Sequence, residues 1–256
     1  MFILGYHDIE ISPSGKRYSI SLDMFKKQLS WLKTNGFKAV SLAELKETIS
    51  CGKEPPKKAF LLTFDDGFSS HYELVFPLLK EYGYPACFFL IASSVGKEGF
   101  LNWGEIKAMR DSGMFIGSHG LSHRMLTAIA KKEVTEEFKS SKDLIEKNLG
   151  TPVDALSIPR GQESLKIRQL AQQSGYRIIF VSRPGYINAK SNPFCLKRFF
   201  LTNSTSLSWF CKIAQGDPFT VILVKLKSAS LWLLRKFLGI GLYEKIRQAI
   251  LKEDYS

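Results

Sequence analysis

The stretch Ala59-Phe60-Leu61-Leu62-Thr63-Phe64-Asp65-Asp66-Gly67 decides how this chain is read. Its first half is a short unbroken apolar run, the pattern of a buried strand. Its end is a pair of adjacent carboxylates. Two neighbouring acids at a strand end repel each other and lose hydration, so they call for a positive partner. A divalent cation would take one carboxylate as ligand and leave the other ionised as a general base. The plain alternative is a capped strand-to-helix turn in which Gly67 supplies a positive φ.

Further ligands for such a cation must come from elsewhere, and the chain has only 4 histidines. His119 and His123 form a His-x-x-x-His pair within Ser118-His119-Gly120-Leu121-Ser122-His123. An Asp-His-His set with open positions is the donor set of a hydrolytic metal centre. It suits Zn²⁺, and Co²⁺, Ni²⁺ or Fe²⁺ as well. The alternative for these two residues is a pair of surface histidines in a polar loop.

Working outward, strand and helix patterns alternate. Strands are predicted over 2–7, 37–40, 59–64, 86–91, 115–117, 154–158, 177–181 and 195–201. Helices are predicted over 21–35, 42–49, 71–82, 103–112, 131–148 and 163–174. Such alternation implies an α/β fold with a parallel sheet, closed as a barrel. His7, Asp65-Asp66, His119 and Pro159-Arg160-Gly161 each fall just after a predicted strand. In a β/α barrel those positions converge on one rim, at the strands' C-terminal ends.

At 256 residues the chain can bury a full core, while its net charge of +12 favours an anionic partner. Nucleic acid is discounted, because no basic helix, zinc-finger spacing or RNA-binding motif accompanies the charge. Cys51, Cys87, Cys195 and Cys211 are widely spaced and fit free thiols in a reducing compartment. No signal peptide is visible and no apolar run reaches the length of a membrane span. The expectation is a cytoplasmic protein, either free or peripheral at the inner membrane face. Residues 196–256 carry ten basic and four acidic side chains, half of the net charge. Leu231, Trp232, Leu234, Phe237, Leu238, Leu242, Tyr243, Ile246 and Ile250 recur there at roughly helical spacing. Residues 206–256 therefore read as a basic amphipathic extension, packed on the barrel or lying on anionic lipid.

Three motifs carry a family resemblance: Thr63-Phe64-Asp65-Asp66-Gly67, His119-x-x-x-His123 and Pro159-Arg160-Gly161. In this order they resemble the polysaccharide deacetylases, carbohydrate esterase family 4, whose catalytic unit is the NodB-homology domain. Tyr6-His7, Leu101-Asn102-Trp103 and Ser140-Ser141-Lys142 accompany them. The resemblance covers roughly residues 1–201, placing a barrel over 1–205, and implies a distorted (β/α)7 barrel. It implies removal of an N-acetyl group from an amino-sugar glycan, with a divalent metal, most simply Zn²⁺, held by Asp66, His119 and His123. Asp65 would be the base. The backbone N–H of Arg160, just after Pro159, would stabilise the oxyanion, and Trp103 would wall the sugar site unless it is a core tryptophan.

Two departures from the family pattern bear on mechanism. Many members carry a Leu-x-His motif near the C-terminus whose histidine protonates the leaving amine. Here the corresponding apolar segment, Val221-Ile222-Leu223-Val224-Lys225, is predicted as a strand without histidine, and no histidine follows His123. His7 is the substitute, as in the branch with an N-terminal catalytic histidine; the alternative is a satisfied core histidine. His71 reads as structural or solvent-exposed. The family arginine two residues before the motif proline is replaced by Ser157, and Arg198 is the candidate to orient Asp65 or contact substrate. Deformylation of a lipid-linked formamido sugar keeps the same chemistry on another acyl group. A non-catalytic glycan-binding protein is the alternative of a different class.

Overall fold

The computed structural model describes residues 1–238 apart from Pro13 and Gln162. Its strands are β1 (Phe2–Tyr6), β2 (Asp8–Glu10), β3 (Ser19–Ser21), β4 (Lys38–Ala39), β5 (Ala59–Phe64), β6 (Ala86–Leu90), β7 (Phe115–Ser118), β8 (Ala155–Ser157), β9 (Ile178–Val181), β10 (Leu196–Lys197) and β11 (Phe199–Phe200). The main sheet runs β10-β9-β8-β7-β6-β5-β1-β11 with β4 beside β5, and every pairing in it is parallel.

The closing strand is broken. β10 pairs with β9 and β11 pairs with β1, so residues 196–200 join the two edges of the sheet. Counted as one, they make the seventh strand position of a nearly closed α/β barrel. The single strand expected over 195–201 is thus two short ones after a 3₁₀ turn, Pro193–Cys195. Arg198 sits at the break.

Helices alternate with the strands: α1 (Leu22–Thr34), α2 (Leu42–Ser50), α3 (Phe76–Tyr82), α4 (Trp103–Asp111), α5 (Lys131–Leu149), α6 (Leu165–Gln173), α7 (Leu207–Gln215) and α8 (Pro218–Leu238). Their starts follow the sequence, with capping boxes at Ser41/Glu44 and Asn102/Glu105. The helix expected over 71–82 begins instead as a π-turn, His71–Val75. The strand expected over 221–225 is corrected: those residues belong to α8. Five successive apolar or long side chains carry no period that separates strand from helix, and the helix won because its Val221 side packs inward. The extension beyond residue 238 lies outside the described residues.

Side-chain alternation sorts the barrel into two apolar layers. Ile3, Leu61, Cys87, Phe89, Ala155, Phe180 and Leu196 form one cluster, inside the barrel. Leu4, Leu62, Phe88, Ile116, Leu156 and Ile179 belong to a second, between sheet and helices. Large rings fill the interior, so the wall opposite them must be thin. A Cβ on Gly117 would lie 2.6 Å from the Phe89 ring, and one on Gly5 would lie 2.7 Å from the Phe200 ring. The same parity carries the site. His7, Asp65, His119 and Ser157 each extend the inward-facing row of their own strand, following Gly5, Thr63, Gly117 and Ala155.

Candidate metal and catalytic site

Asp65 stands at the head of the inward row of β5 and is buried. Arg198 Nη1 donates to its Oδ1 at 2.8 Å and Nη2 to its Oδ2 at 2.9 Å. Ser157 Oγ donates to Oδ2 at 3.0 Å while accepting from Arg198 Nη2 at 2.7 Å. Arg198 Nη1 also reaches Thr63 Oγ1 at 3.1 Å. The guanidinium is boxed by the rings of Phe200, Phe180 and Phe89, with centroids at 4.5, 5.6 and 5.8 Å. Burial opposes ionisation of Asp65. The Arg198 charge, with its two hydrogen bonds, overrides it and holds this carboxyl well below the usual carboxylate range.

Asp66, His119 and His123 bring one ligand atom each to within 4.8 Å of one another. His119 Nε2 lies 3.4 Å and His123 Nε2 3.6 Å from Asp66 Oδ1. His119 Nδ1 donates to the Ser157 carbonyl at 2.8 Å, which fixes the tautomer and leaves the Nε2 lone pair facing Asp66. Asp66 Oδ1 is buried without a hydrogen-bond partner among the described residues. Burial, and then the charge of Asp65, push the Asp66 carboxyl up to about 8. An acid so costly to ionise alone, facing two imidazole nitrogens, fits a divalent cation.

The backbone is strained at the same place. Among the described residues the non-glycine positions with positive φ are Lys58, Asp66 (76°), His123 (57°) and Arg160 (57°). All but Lys58 belong to the site. Each such residue costs roughly 1–3 kcal/mol and persists only where its surroundings over-determine it. Two of the restraints are visible. Arg160 Nε donates to the His123 carbonyl at 3.1 Å. The buried carboxylate of Glu137, on α5, accepts from Leu121 N at 3.0 Å, from Ser122 N at 2.9 Å and from Ser122 Oγ. Glu137 thereby clamps the turn between the two histidines.

The other expected residues fall as follows. His7 is partly buried between Tyr18 and Phe200, with ring centroids at 4.6 and 5.1 Å. Burial lowers its imidazole to about 3, opposed by the charge of Asp65. Its Nδ1 has no partner among the described residues. Pro159 is buried and lies against Gly120. Trp103 opens α4 and packs on the outer core layer. Arg198, set among the substrate contacts by one reading, is instead buried beneath Asp65. His71 is buried, not exposed, and its Nε2 donates to the His7 carbonyl at 2.7 Å. Ser157 and Glu137 are functional neighbours that sequence reasoning missed. For Glu137 a signal existed: it shares a helix face with Val134, Phe138, Ser141 and Ile145, a charged residue in an apolar stripe.

The sequence model of one family, described as polysaccharide deacetylase, matches residues 52–179. YxkH of Bacillus subtilis (strain 168), whose name assigns it provisionally to polysaccharide deacetylases, is 28% identical over 208 residues. The match takes in 81% of this chain and 74% of that protein. The poly-beta-1,6-N-acetyl-D-glucosamine N-deacetylase of Staphylococcus aureus is 26% identical over 202 residues, 73% of this chain and 69% of that one. Among solved structures, the Streptococcus pyogenes deacetylase PplD, in complex with acetate, superposes with a TM-score of 0.75 at 27% identity. The superposition covers 80% of this chain and 94% of that one.

Proposed function

The chain belongs to the polysaccharide deacetylase family, and from that premise we propose that it is a hydrolase that removes the N-acetyl group from an amino sugar within a glycan. The observation that carries the reading is one junction. A buried Asp66-His119-His123 donor set adjoins a carboxylate, Asp65, held ionised by Arg198. The Staphylococcus aureus relative is a poly-beta-1,6-N-acetyl-D-glucosamine N-deacetylase, and the same bond is the simplest substrate for this set.

Asp66, His119 and His123 would hold a divalent cation, with Zn²⁺ favoured by two imidazoles and a carboxylate. Bound there, it supplies Lewis acidity towards water and the amide carbonyl. The remaining steps fall to side chains of this chain. Asp65 accepts the proton of the attacking water. Because Arg198 and Ser157 hold that carboxylate in place and strongly acidic, it keeps the proton weakly. His7, neutral at rest and within the field of Asp65, takes the proton and delivers it to the departing amine nitrogen. Water thus adds hydroxyl to the acyl carbon and hydrogen to nitrogen. The Arg160 backbone N–H, on the strained turn after Pro159, is the proposed oxyanion donor, a contact worth roughly 3–4 kcal/mol of barrier.

The test is acetate release from N-acetylglucosamine oligomers, nucleotide-linked and lipid-linked N-acetyl sugars by the metal-loaded full chain, with Asp65→Asn as control. Acetate abolished by the substitution supports the reading and ranks the carriers. Formate released from formamido sugars, without acetate, would replace it with a deformylase. A metal-loaded, folded protein that releases neither would return the scaffold to glycan binding.

A further inference from the structure

Helix α8 is apolar on two opposite sides, and the described residues cover only one of them. Thr220 and Val221 are buried and Val224 packs on the core. On the other side Phe219 is 70% exposed, Ile222 54%, Leu223 37%, Leu226 59% and Leu233 46%. These positions recur at i, i+3, i+4, i+7 and i+14, a single straight stripe along the helix. A lone exposed leucine needs no explanation, but a contiguous stripe of this kind marks an interaction surface.

Charge selects the partner. Residues 218–238 contain Lys225, Lys227, Arg235 and Lys236 and no acidic residue. On the helical wheel Lys225 and Lys227 fall on opposite flanks of the stripe, and both are exposed. Stems beside the apolar stripe and ammonium groups above it are the arrangement by which lysines snorkel to a phosphate layer. A protein partner would have to bury bulky apolar side chains and answer four positive charges with no acidic residue among them at once. An anionic bilayer does both without a specific contact. No helix among the described residues is long and apolar enough to cross a membrane, so the fit is to the surface.

The helix is also placed for such contact without obstructing the site. Tyr186 pairs with Phe2, where β1 begins, and its hydroxyl donates to the Ile213 carbonyl near the end of α7. The chain therefore enters α8 at the end of the barrel opposite the rim that carries Asp65, His119 and His7.

We propose that α8 docks the protein on an anionic lipid surface, with Phe219, Ile222, Leu223 and Leu226 among the headgroups and acyl chains and Lys225 and Lys227 over the phosphates. The measurement is sedimentation of the full chain with vesicles of equimolar phosphatidylcholine and phosphatidylglycerol, against vesicles of phosphatidylcholine alone. Binding to the anionic vesicles is expected, weakening as salt is raised from 0.1 to 1 M, where the screening length falls from about 10 to about 3 Å. Lys225→Glu with Lys227→Glu should lower partitioning at least about tenfold. Ile222→Ser with Leu226→Ser should abolish it, with the unfolding midpoint little changed because both residues are more than half exposed. Equal binding to neutral vesicles, or full binding by either double variant, overturns the proposal. So does a concentration-dependent dimer that the Ile222→Ser/Leu226→Ser protein no longer forms, which would give the stripe to a second copy. Absent vesicle binding in a monomer whose Leu226→Cys thiol resists labelling would give it to the chain's own C-terminal residues.

Discussion

Arg198 and Asp65 face each other through two parallel hydrogen bonds, Nη1 to Oδ1 at 2.8 Å and Nη2 to Oδ2 at 2.9 Å, both side chains buried. They lie 133 residues apart in sequence. Asp65 follows directly on β5, and Arg198 occupies the break in the segment that closes the barrel. Closure of the fold and presentation of the base are therefore one structural event. In family members with an arginine in the third motif, that residue would come from β8. Here β8 offers Ser157, whose hydroxyl bridges the pair, and the guanidinium arrives from the closing segment on the far side of β9 instead.

Arg198→Ala should destabilise the protein by about 3–5 kcal/mol, because it strands a buried carboxylate. Arg198→Lys keeps the charge but loses the fork and the ring packing, so it should fold and turn over poorly. Adding Asp65→Asn to Arg198→Ala should recover part of the lost stability. Urea unfolding of wild type, Arg198→Ala, Asp65→Asn and the double variant checks this. Strictly additive losses would mean that the pair is not energetically coupled.

Much of this was legible before the structure. The inward rows of β1, β5, β7 and β8 follow from period-two alternation, so His7, Asp65, His119 and Ser157 had to share one face once their strands were located. The histidine pair and the twin carboxylates announced the donor set by residue type and spacing. Three features were hidden. The split at Arg198 depends on two sheet edges meeting, a long-range fact with no local pattern. Val221-Ile222-Leu223-Val224-Lys225 has strand propensity that tertiary packing overrides. The π-turn at His71–Val75 arises because the His71 ring is drawn inward to the His7 carbonyl.

Glu137 should govern metal affinity without touching the metal. Its carboxylate holds two backbone N–H groups and a hydroxyl of the turn between His119 and His123. Glu137→Ala removes the acceptor of these partly exposed donors, at about 1 kcal/mol for each hydrogen bond lost. It should also weaken Zn²⁺ binding roughly 10–100-fold, the range for lost supports of metal ligands. Calorimetric titration of the apoprotein with Zn²⁺ reads the affinity. Glu137→Gln, which retains one acceptor oxygen, should lie between. An affinity unchanged in a folded Glu137→Ala protein would show that the turn holds its shape without the clamp.

His7 and Asp66 should separate proton transfer from metal binding. His7→Gln should retain metal and lose turnover roughly 10²–10⁴-fold, the usual contribution of a positioned acid or base. Asp66→Asn should lose metal together with activity, since it removes the anionic member of the donor set. Metal content by atomic absorption beside acetate release distinguishes the two. Loss of metal from His7→Gln would move that residue from proton transfer to the support of the centre.

His71 should make stability depend on pH. The ring is buried, with Phe64, Phe68 and Phe88 at centroid distances of 5.5, 6.1 and 5.6 Å. Its Nε2–H is committed to the His7 carbonyl, and Nδ1 has no partner among the described residues to receive a charge-stabilising bond. Burial therefore lowers its imidazole from 6.5 to about 4 in the folded protein. Between those values the unfolded chain binds the extra proton and the folded chain does not, so stability rises with pH. The contribution is fully present above about 6.5 and is lost as pH falls towards 4, a change of about 3 kcal/mol. His71→Gln can keep a donor to the same carbonyl but cannot titrate. The stability difference between wild type and His71→Gln should therefore shrink from pH 7.5 to pH 4.5, the other histidines being common to both. A difference that stays constant across that range would mean that His71 is protonated inside the fold.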